Sequence, residues 1–452
     1  MSNVVLLMSD EHNPFYSSVY GHRSIQTPNM ERLAERGTVF QNAYCPSPLC
    51  APSRSAFMAG KRVHSLQTYS NSAININPNH LSYGAALVAG GVHVTLIGKT
   101  DVYDKAEKLG FSEVIVPKET HWPDVDIGRD PLMILPNAAE RADRFGVDAA
   151  PWDLDLMRMD KALTWLTETA PTLDTPWVLV VNLNKPHFPH YASQELWDLY
   201  PDGGDLPTYG REEDSAHHPH AQDLRAFFSA EAFSDEQTRG LRRGYLGCVT
   251  FIDQQIGRIA AALAATEAIE NTNLIYTSDH GEMLGKFGMW WKCSLYEDSV
   301  RVPCIAAGPD FAAGKTVETP VDLLDVQATL FKAVDVDRPS SWVGQPLQDI
   351  PTNDPDRIIL SEYHGHGARA SAYMVRKGDW KYIFYCAGPN QLFNLAHDPD
   401  ELHNFIETNP DIARELEKAL RDICSPEVEH ERAERFIRGQ LATIASNDII
   451  ED

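Results

Sequence analysis

Positive charge is in short supply in this chain. Its 39 lysines and arginines stand against 64 aspartates and glutamates, a formal net charge of −25 over 452 residues, and no Lys/Arg-rich block offsets the excess locally. A surface of that sign repels nucleic acid and anionic membranes, so neither is an expected partner. If the substrate is a small anion, its site must carry cations of its own. Cysteine is scarce too: seven are scattered without framework spacing, which argues against a disulfide scaffold and for reduced thiols in the cytoplasm. Long apolar runs are missing, none approaching the ~20 residues that span a bilayer. Near the N-terminus "NVVLLM" runs straight into "SDEH", without the charge and length of a signal segment. A soluble, cytoplasmic protein is the expectation.

What is present fits a large globular chain. Hydrophobic residues make up 43% and charged residues 23%, and the length exceeds what one core usually serves. One large domain with an appendage, or two unequal domains, is expected. Short apolar runs at Val4 to Met8, Val92 to Ile97, Val178 to Asn182 and Leu274 to Thr277 end abruptly in polar residues. Helical patterns lie between them. Thr27-Pro28 reads as an N-cap and first-turn pair, with a stop near Gly37. Asp153 to Thr169 places Leu156, Met159, Leu163 and Leu166 at helical spacing, and Asp235 to Thr266 is a longer helix, broken near Gly244 or Gly247. Strands alternating with helices predict a large, mostly parallel α/β sheet with helices on both faces over residues 1–345. Beyond it "RIILSEY", "AYMVRKGDWKYIFYC" and "QLFNL" are strand-like, with Lys377-Gly378-Asp379 as a hairpin connection. A charged helix from Pro410 to about Cys424 completes a smaller antiparallel-sheet-plus-helix subdomain, residues 346–452.

In open α/β sheets ligands gather beyond the carboxyl ends of the strands. Four such ends here carry ionisable groups: Asp10, Glu11 and His12; Lys99 and Asp101; Lys185 and His187; Asp279, His280 and Glu282. Singly, each has a plain reading as a cap or the start of a loop. Together they offer acidic oxygens and an imidazole for a hard or borderline divalent cation, beside lysines that can meet an anion.

The stretch "PSPLCAPSRSAFMAGK", residues 46–61, sets a cysteine at a turn. With Pro52 at a first helical position and Gly60 as the stop, a helix over Ser53 to Ala59 is predicted. Cys50 then lies at or just before the helix N-terminus, where free N–H groups and the dipole favour an anion and depress a thiol pKa. Arg54, one turn along, adds a fixed cation. A Cys45–Cys50 redox pair and a buried structural cysteine are competing readings. A tyrosine-phosphatase loop requires its arginine further on and more glycine.

Cys50-Ala51-Pro52-Ser53-Arg54, followed by Met58 and Gly60-Lys61, resembles the signature of the type I sulfatases. "TPNMERLAERGTVFQNAY", "SDHGEMLG", "WWKCSLYEDSVRVP" and "LFNLAHDPDELHN" are also similar to that family, so the resemblance touches nearly the whole chain. It implies the alkaline-phosphatase-like fold. It further implies that a formylglycine-generating enzyme converts Cys50 to an aldehyde whose hydrate attacks sulfur and later expels sulfate through its second hydroxyl. One divalent cation is implied, calcium being expected and magnesium or manganese the alternatives.

Carried over position by position, Asp10, Asp279, His280 and modified Cys50 resemble the family's metal ligands. Glu11 stands where relatives have Asp or Gln, either as a ligand or behind one. Arg54 and Lys99 are expected to stabilise the ionised formylglycine oxygen, Lys292 to hold the sulfate and His187 to protonate the leaving oxygen. Asn71 matches an anion-binding position of the phosphonate-hydrolase branch, and Lys185 is a further expected cation for the substrate. Two departures stand out: Asp101 replaces a histidine read as the base for sulfate release, and His280 replaces an asparagine common among arylsulfatases. Asp followed by His instead resembles choline sulfatases and phosphonate monoester hydrolases. The expectation is a hydrolase of small anionic sulfate esters. The alternatives are a phosphonate monoester or phosphodiester hydrolase on the same site, and a non-catalytic anion-binding protein with Cys50 unmodified.

Other residues invite weaker readings. His217, His218 and His220 are expected in a solvated loop rather than at a second metal. For His364 and His366, pocket and loop readings stand level. Glu282 is expected to fix a turn, and Trp290 and Trp291 to wall a leaving-group pocket or pack in the core.

Overall fold

The computed structural model describes residues 1–118, 127–129, 132–201 and 204–446. Its centre is an eight-stranded sheet. Strands β1 (Asn3–Asp10), β2 (Gly37–Phe40), β3 (His93–Lys99), β4 (Glu113–Lys118), β5 (Trp177–Pro186), β6 (Thr272–Ser278), β7 (Cys304–Ala307) and β8 (Lys315–Val317) lie in the order β8-β2-β7-β6-β1-β5-β3-β4. β1 runs parallel to both neighbours, with Val5 opposite Leu179 on one side and Leu274 on the other. β3 is parallel to β5 and β4. Only β7 is antiparallel to the strands beside it. Val4 to Leu7 and Val178 to Val181 are fully buried, as expected of central strands covered on both faces. Because β1, β3, β5 and β6 are parallel, their carboxyl ends reach the same edge. The strand ends that carry Asp10, Lys99, Lys185 and the residues after Ser278 therefore lie along it.

The predicted strands and helices are present, with differences that have local causes. Helix α1 (Pro28–Glu35) stops where predicted, and β2 starts at once with Gly37. A Cβ on Gly37 would lie 2.3 Å from the Ala306 carbonyl oxygen, so this glycine admits the neighbouring strand. Helix α2 (Cys50–Ala59) begins earlier than predicted, with Cys50 itself as the first helical residue and Pro52 as the third. Helix α3 (Asp153–Thr164) continues as a π-helical turn to Thr169. Leu156 does not face the core as its spacing predicts: it is exposed, while Asp155 and Arg158 are buried. Helix α4 (Asp235–Ala265) is unbroken. Gly244 and Gly247 are contact points, where a Cβ would come within 2.0 Å of the His190 carbonyl oxygen and 2.8 Å of Ala192 Cβ. The helix thus packs tightly behind the chain that follows β5.

The C-terminal part forms a four-stranded antiparallel sheet, β9 (Ile358–Tyr363), β10 (Ala372–Lys377), β11 (Trp380–Tyr385) and β12 (Gln391–Asn394). Lys377 pairs with Trp380 across the two-residue Gly378-Asp379 turn, and Gly378 has the positive φ of 52° the turn needs. Its side chains alternate between two cores. Ile359, Tyr363, Met374, Ile383 and Phe393 join the main core, whereas Leu360, Val375, Tyr382 and Leu392 pack on helix α5 (Pro410–Ile423). A last helix, α6 (Pro426–Ser446), was not foreseen. Its Gln440 side chain donates to the carbonyls of Ser72 and Ile74, tying this helix back to the chain beyond α2. No helix among the described residues is long and apolar enough to cross a membrane.

Candidate active site

At the carboxyl edge of the sheet, α2 presents Cys50 from its first turn, with extended Leu49 before it and left-handed Gly60 closing the helix. Every residue of α2 is buried, so the turn is a fixed floor. Three bonds hold it: the Ala51 N–H donates to Asn71 Oδ1 at 3.0 Å, the Ser53 hydroxyl to the Asp279 carbonyl at 2.7 Å, and Arg54 Nε to Asp279 Oδ2 at 2.8 Å.

Four ligand-type atoms converge above it. One each from Asp10, Cys50, Asp279 and His280 lie within 4.8 Å of one another, all buried. His280 donates from Nδ1 to the Gly281 carbonyl at 3.0 Å and turns Nε2 to Cys50 Sγ at 3.2 Å. Such a bond fixes the tautomer that leaves Nε2 for a ligand. Two carboxylates, an imidazole and an oxygen or sulfur in a sealed site are a donor set suited to a divalent cation. Glu11 stands beside this cluster, outside its four members. Its backbone is left-handed (φ 69°) and its N–H donates to Asp279 Oδ1 at 3.1 Å. Both its carboxylate oxygens are buried without a hydrogen bond, 3.5 Å from Lys292 Nζ and from His187 Nε2. Orphaned acceptors of this kind fit a bound cation or anion-held proton nearby. Among the described residues no second cluster of this kind occurs.

Cations surround the carboxylates. Lys99 makes a close ion pair with Asp10 and a second with Asp101 at 2.9 Å. Lys292 Nζ donates to Cys50 Sγ at 3.1 Å and to His187 Nε2 at 2.8 Å, while His187 Nδ1 donates to the Phe188 carbonyl at 2.7 Å. Burial would raise the Asp10 carboxyl, but the charges of Lys99 and then Arg54 outweigh it and hold the group well below its usual range. Burial would likewise raise the Cys50 thiol, and Lys292 and Lys99 pull it down instead. Burial opposes charge on His280, yet Asp279 carries it up to about 9. Burial and then Lys292 push His187 well below neutrality.

Most of the predicted residues therefore meet. Lys185 does not: its ammonium donates to the carbonyls of His187 and Pro189, at 3.1 and 2.5 Å, and braces the loop. A strand-end position says where a lysine starts and not where its long side chain goes. His218 and His220 are not solvated; they are buried, with Nε2 against the Pro389 and Cys293 carbonyls at 2.8 and 3.2 Å. His364 bridges Glu362 and Ser371 in the interior, whereas His366 lines the active-site cavity. Glu282 fixes its turn, accepting from the Leu284 and Trp291 amides at 2.9 and 2.6 Å. Two residues escaped sequence reasoning. Asp155 caps the amides of Asn184 and Lys185, and Arg141 lines the cavity. An inward Asp155–Arg158 pair three residues apart was the legible signal for the first; nothing marked the second.

The cavity beside Lys292 and His187 measures about 220 Å³. A larger one, about 510 Å³ between α1 and α4, holds none of the converging groups, and chemistry outweighs volume in choosing between them.

Comparison with known proteins places these features. The Sulfatase family model matches residues 2–336, and a second, for the C-terminal part of N-sulphoglucosamine sulphohydrolase, matches residues 285–425. The choline-sulfatase of Rhizobium meliloti (strain 1021) is 30% identical over 429 residues, covering 90% of this chain and 83% of its own. Arylsulfatase K of Danio rerio is 30% identical over 455 residues, 93% and 83% of the two chains. Among solved structures, the phosphonate monoester hydrolase of Agrobacterium radiobacter superposes with a TM-score of 0.76 at 22% identity, over 93% of this chain and 95% of that one. BT4656, solved with its substrate D-glucosamine-2-N,6-O-disulfate, superposes at 0.75 and 20% identity, over 95% and 98%.

Proposed function

This chain belongs to the type I sulfatase family, with its alkaline-phosphatase-like fold, and is a sulfuric ester hydrolase; we propose that it cleaves a sulfate monoester through a formylglycine made from Cys50, beside one calcium ion. The observation that carries this reading is the setting of Cys50 Sγ, 3.2 Å from His280 Nε2 and 3.1 Å from Lys292 Nζ, in one cluster with Asp10 and Asp279. Asp10, Asp279, His280 and the converted Cys50 would hold the cation, with Glu11 at its flank. A bound divalent cation supplies a Lewis acid that makes a nucleophile available at neutral pH. The formylglycine supplies, as its hydrate, two hydroxyls on one carbon, one to attack and one to expel sulfate.

The chain's own residues do the rest. Arg54 and Lys99 fix the carboxylates of Asp279 and Asp10 and neutralise charge that develops at residue 50. Lys292 reaches the same point and orients the sulfate. His187, neutral in the free site and accepting from Lys292, gains a reason to take a proton once an anionic sulfate displaces that bond, because a neighbouring negative charge favours imidazolium. It then gives the proton to the leaving oxygen. Asn71 Oδ1 is spent on Ala51, which leaves its NH₂ to meet the anion. Asp101, tied to Lys99, takes the position of the family's usual histidine. We assign catalysis to residues 1–345 and the closing subdomain to 346–452. The cytoplasmic compartment is supported by seven unpaired cysteines. Choline and aryl sulfates are candidate esters, given the relatives' names. A phosphonate monoester hydrolase on the same residues is the second reading, supported by His280 and Asn71; relative rates on matched sulfate and phosphonate esters separate the two.

The test is a mass spectrum of the peptide spanning Cys50, from a host that can modify it, alongside turnover by Cys50→Ser. An aldehyde or hydrate mass, with activity nearly abolished in folded serine variant, is expected. An unmodified thiol in an active enzyme, or parental activity with serine, overturns the mechanism. An unmodified thiol in an inactive protein, with the host's modifying enzyme active on a control, would favour the non-catalytic anion-binding reading.

A further inference from the structure

Tyr245 lies on the buried face of α4, with none of its side chain exposed. Its hydroxyl donates to the Glu11 carbonyl at 2.8 Å and accepts from the Asn13 N–H at 2.9 Å. One oxygen thus bridges the three residues that follow β1. The residue before it prepares the approach. Gly244 lets α4 lie against the His190 carbonyl, where a Cβ would come within 2.0 Å. The Tyr245 ring then packs on His190 and Tyr16, with centroids 5.4 and 5.6 Å away. Burial raises the phenol well above its ordinary pKa, so the oxygen keeps its proton.

Glu11 is what this bridge holds. A left-handed backbone, φ 69° here, suits glycine and strains a residue with a Cβ. Such a turn persists where its neighbours over-determine it. Two contacts do so: the Glu11 N–H donates to Asp279 Oδ1 at 3.1 Å, and the carbonyl accepts from Tyr245. Further along, the His12 N–H donates to Ser278 Oγ and the Asn13 side chain to the Glu282 carbonyl, each at 2.9 Å. The Glu11 side chain has no comparable support. Its carboxylate oxygens accept no hydrogen bond and lie 3.5 Å from Lys292 Nζ and His187 Nε2. Its direction is therefore set by its backbone.

We propose that Tyr245 is a positioning residue: its hydroxyl sustains the left-handed turn at Glu11 and so aims that carboxylate at the flank of the bound cation, against Lys292 and His187. It touches neither metal nor ester. Without the oxygen, the Glu11 carbonyl and the Asn13 N–H lose their partner in a sealed interior. The peptide then relaxes, and the carboxylate leaves its place. The proposal rests on the cation reading of the site.

The test uses Tyr245→Phe, which removes one oxygen and keeps the ring, alone and combined with Glu11→Gly. All proteins come from one modifying host and are stripped of metal. Calorimetry reads the calcium Kd, and urea unfolding reads stability. Tyr245→Phe should weaken calcium roughly tenfold, the low end for losing an outer partner of a metal site. In the Glu11→Gly background the same change should shift Kd less than about threefold, because no carboxylate is left to aim. It should also cost that background less stability than it costs the parent, because glycine takes the turn without strain. Equal effects in the two backgrounds would overturn the proposal, as a role confined to the fold would produce them. Should Tyr245→Phe fail to fold alone, recovery by Glu11→Gly upholds the proposal and failure to recover overturns it. A parent that binds neither calcium, magnesium nor manganese brings down the cation reading, and the proposal with it. A parent that binds calcium, and a Tyr245→Phe variant that binds it equally well, bring down the proposal alone.

Discussion

Replacing Asp155 by alanine removes the anchor of the loop that carries His187. The Asp155 carboxylate accepts from the Asn184 N–H at 3.0 and 2.9 Å and from the Lys185 N–H at 2.9 Å, and it pairs with Arg158 at 3.2 Å. Neither partner reaches water: Asp155 is 2% exposed and Arg158 not at all. The alanine variant leaves a buried guanidinium without its counter-ion and two amides without an acceptor. Removing one partner of a buried pair typically costs ~3–5 kcal/mol, and each stranded amide ~1–3 kcal/mol. The terms overlap, because the loop will shift to rehydrate its amides, so a total of ~3–5 kcal/mol is expected. That is a large share of a marginal folding free energy.

The kinetic effect is separable. His187 lies two residues beyond the second capped amide, and a misplacement of about 1 Å at a reacting group can cost ~100-fold in rate. Urea unfolding followed by the summed fluorescence of the nine tryptophans reports the first effect, and kcat at saturating ester the second. The double variant Asp155→Ala/Arg158→Met should regain part of the stability, because it removes the unpaired charge, but not the rate, because the amides stay uncapped. A stability loss below ~1 kcal/mol with unchanged kcat would refute the reasoning. Loss of stability alone would confine Asp155 to the fold.

Lys381→Met strands two buried carboxylates, Glu297 and Glu401, which the ammonium now holds at 3.0 and 2.7 Å. Burial would raise Glu297, but Lys381 outweighs it and brings it down to about 2. Its stabilisation is therefore full above its unfolded pKa of ~4.3 and is lost as pH falls towards 2; urea unfolding of the variant should show ~3–5 kcal/mol lost at pH 7.5 and less at pH 5, where Glu401, raised by burial to about 7, is neutral. An equal loss at both values would contradict the pairing. In the metal-free protein His280, with its pKa near 9, must release a proton before its nitrogen can hold a cation, so calcium affinity should rise about tenfold per unit from pH 6.5 to 8.5. Calorimetry showing a flat Kd across that window would remove His280 from the ligand set. By the same balance of charge, inorganic sulfate should bind the loaded protein and not the chelated one.

Much of this site is legible in the sequence because its parts follow strong rules. Asp10, Lys99, His187 and Asp279 sit at the ends of parallel strands, and parallel strands bring their carboxyl ends to one edge whatever their order. Cys50 and Arg54 share a helix, so their separation is fixed. The short strands Gly37–Phe40 and Lys315–Val317 were missed because so few residues show no period, and the unforeseen Pro426–Ser446 helix buries only a narrow stripe around Ala433, Ile437 and Gln440. Asp155 was hidden by its neighbour: Leu156 falls at the spacing of the core face and is 36% exposed. The reason is tertiary. The chain after Leu183 needs a buried acceptor for its amides, and that need outranks the burial of one leucine.

Arg54, Lys99, Lys185 and Lys292 looked like the cations with which an acidic protein could hold sulfate. The structure spends them otherwise. Lys185 braces a loop, Arg54 faces Asp279, Lys99 lies between Asp10 and Asp101, and Lys292 faces Glu11. Four carboxylates thus oppose three fixed cations and, while it stays protonated, His280. Opposite charges balance, and a balanced buried cluster gives an approaching monoanion little net pull. A divalent cation that takes the place of the His280 proton tips the balance by one positive charge, in surroundings where a charge acts several times more strongly than in water. The lysines then cease to be mere counter-ions. Capture of the anion is coupled in this way to loading of the metal, and the carboxylates that seem to waste the site's cations are what couples them.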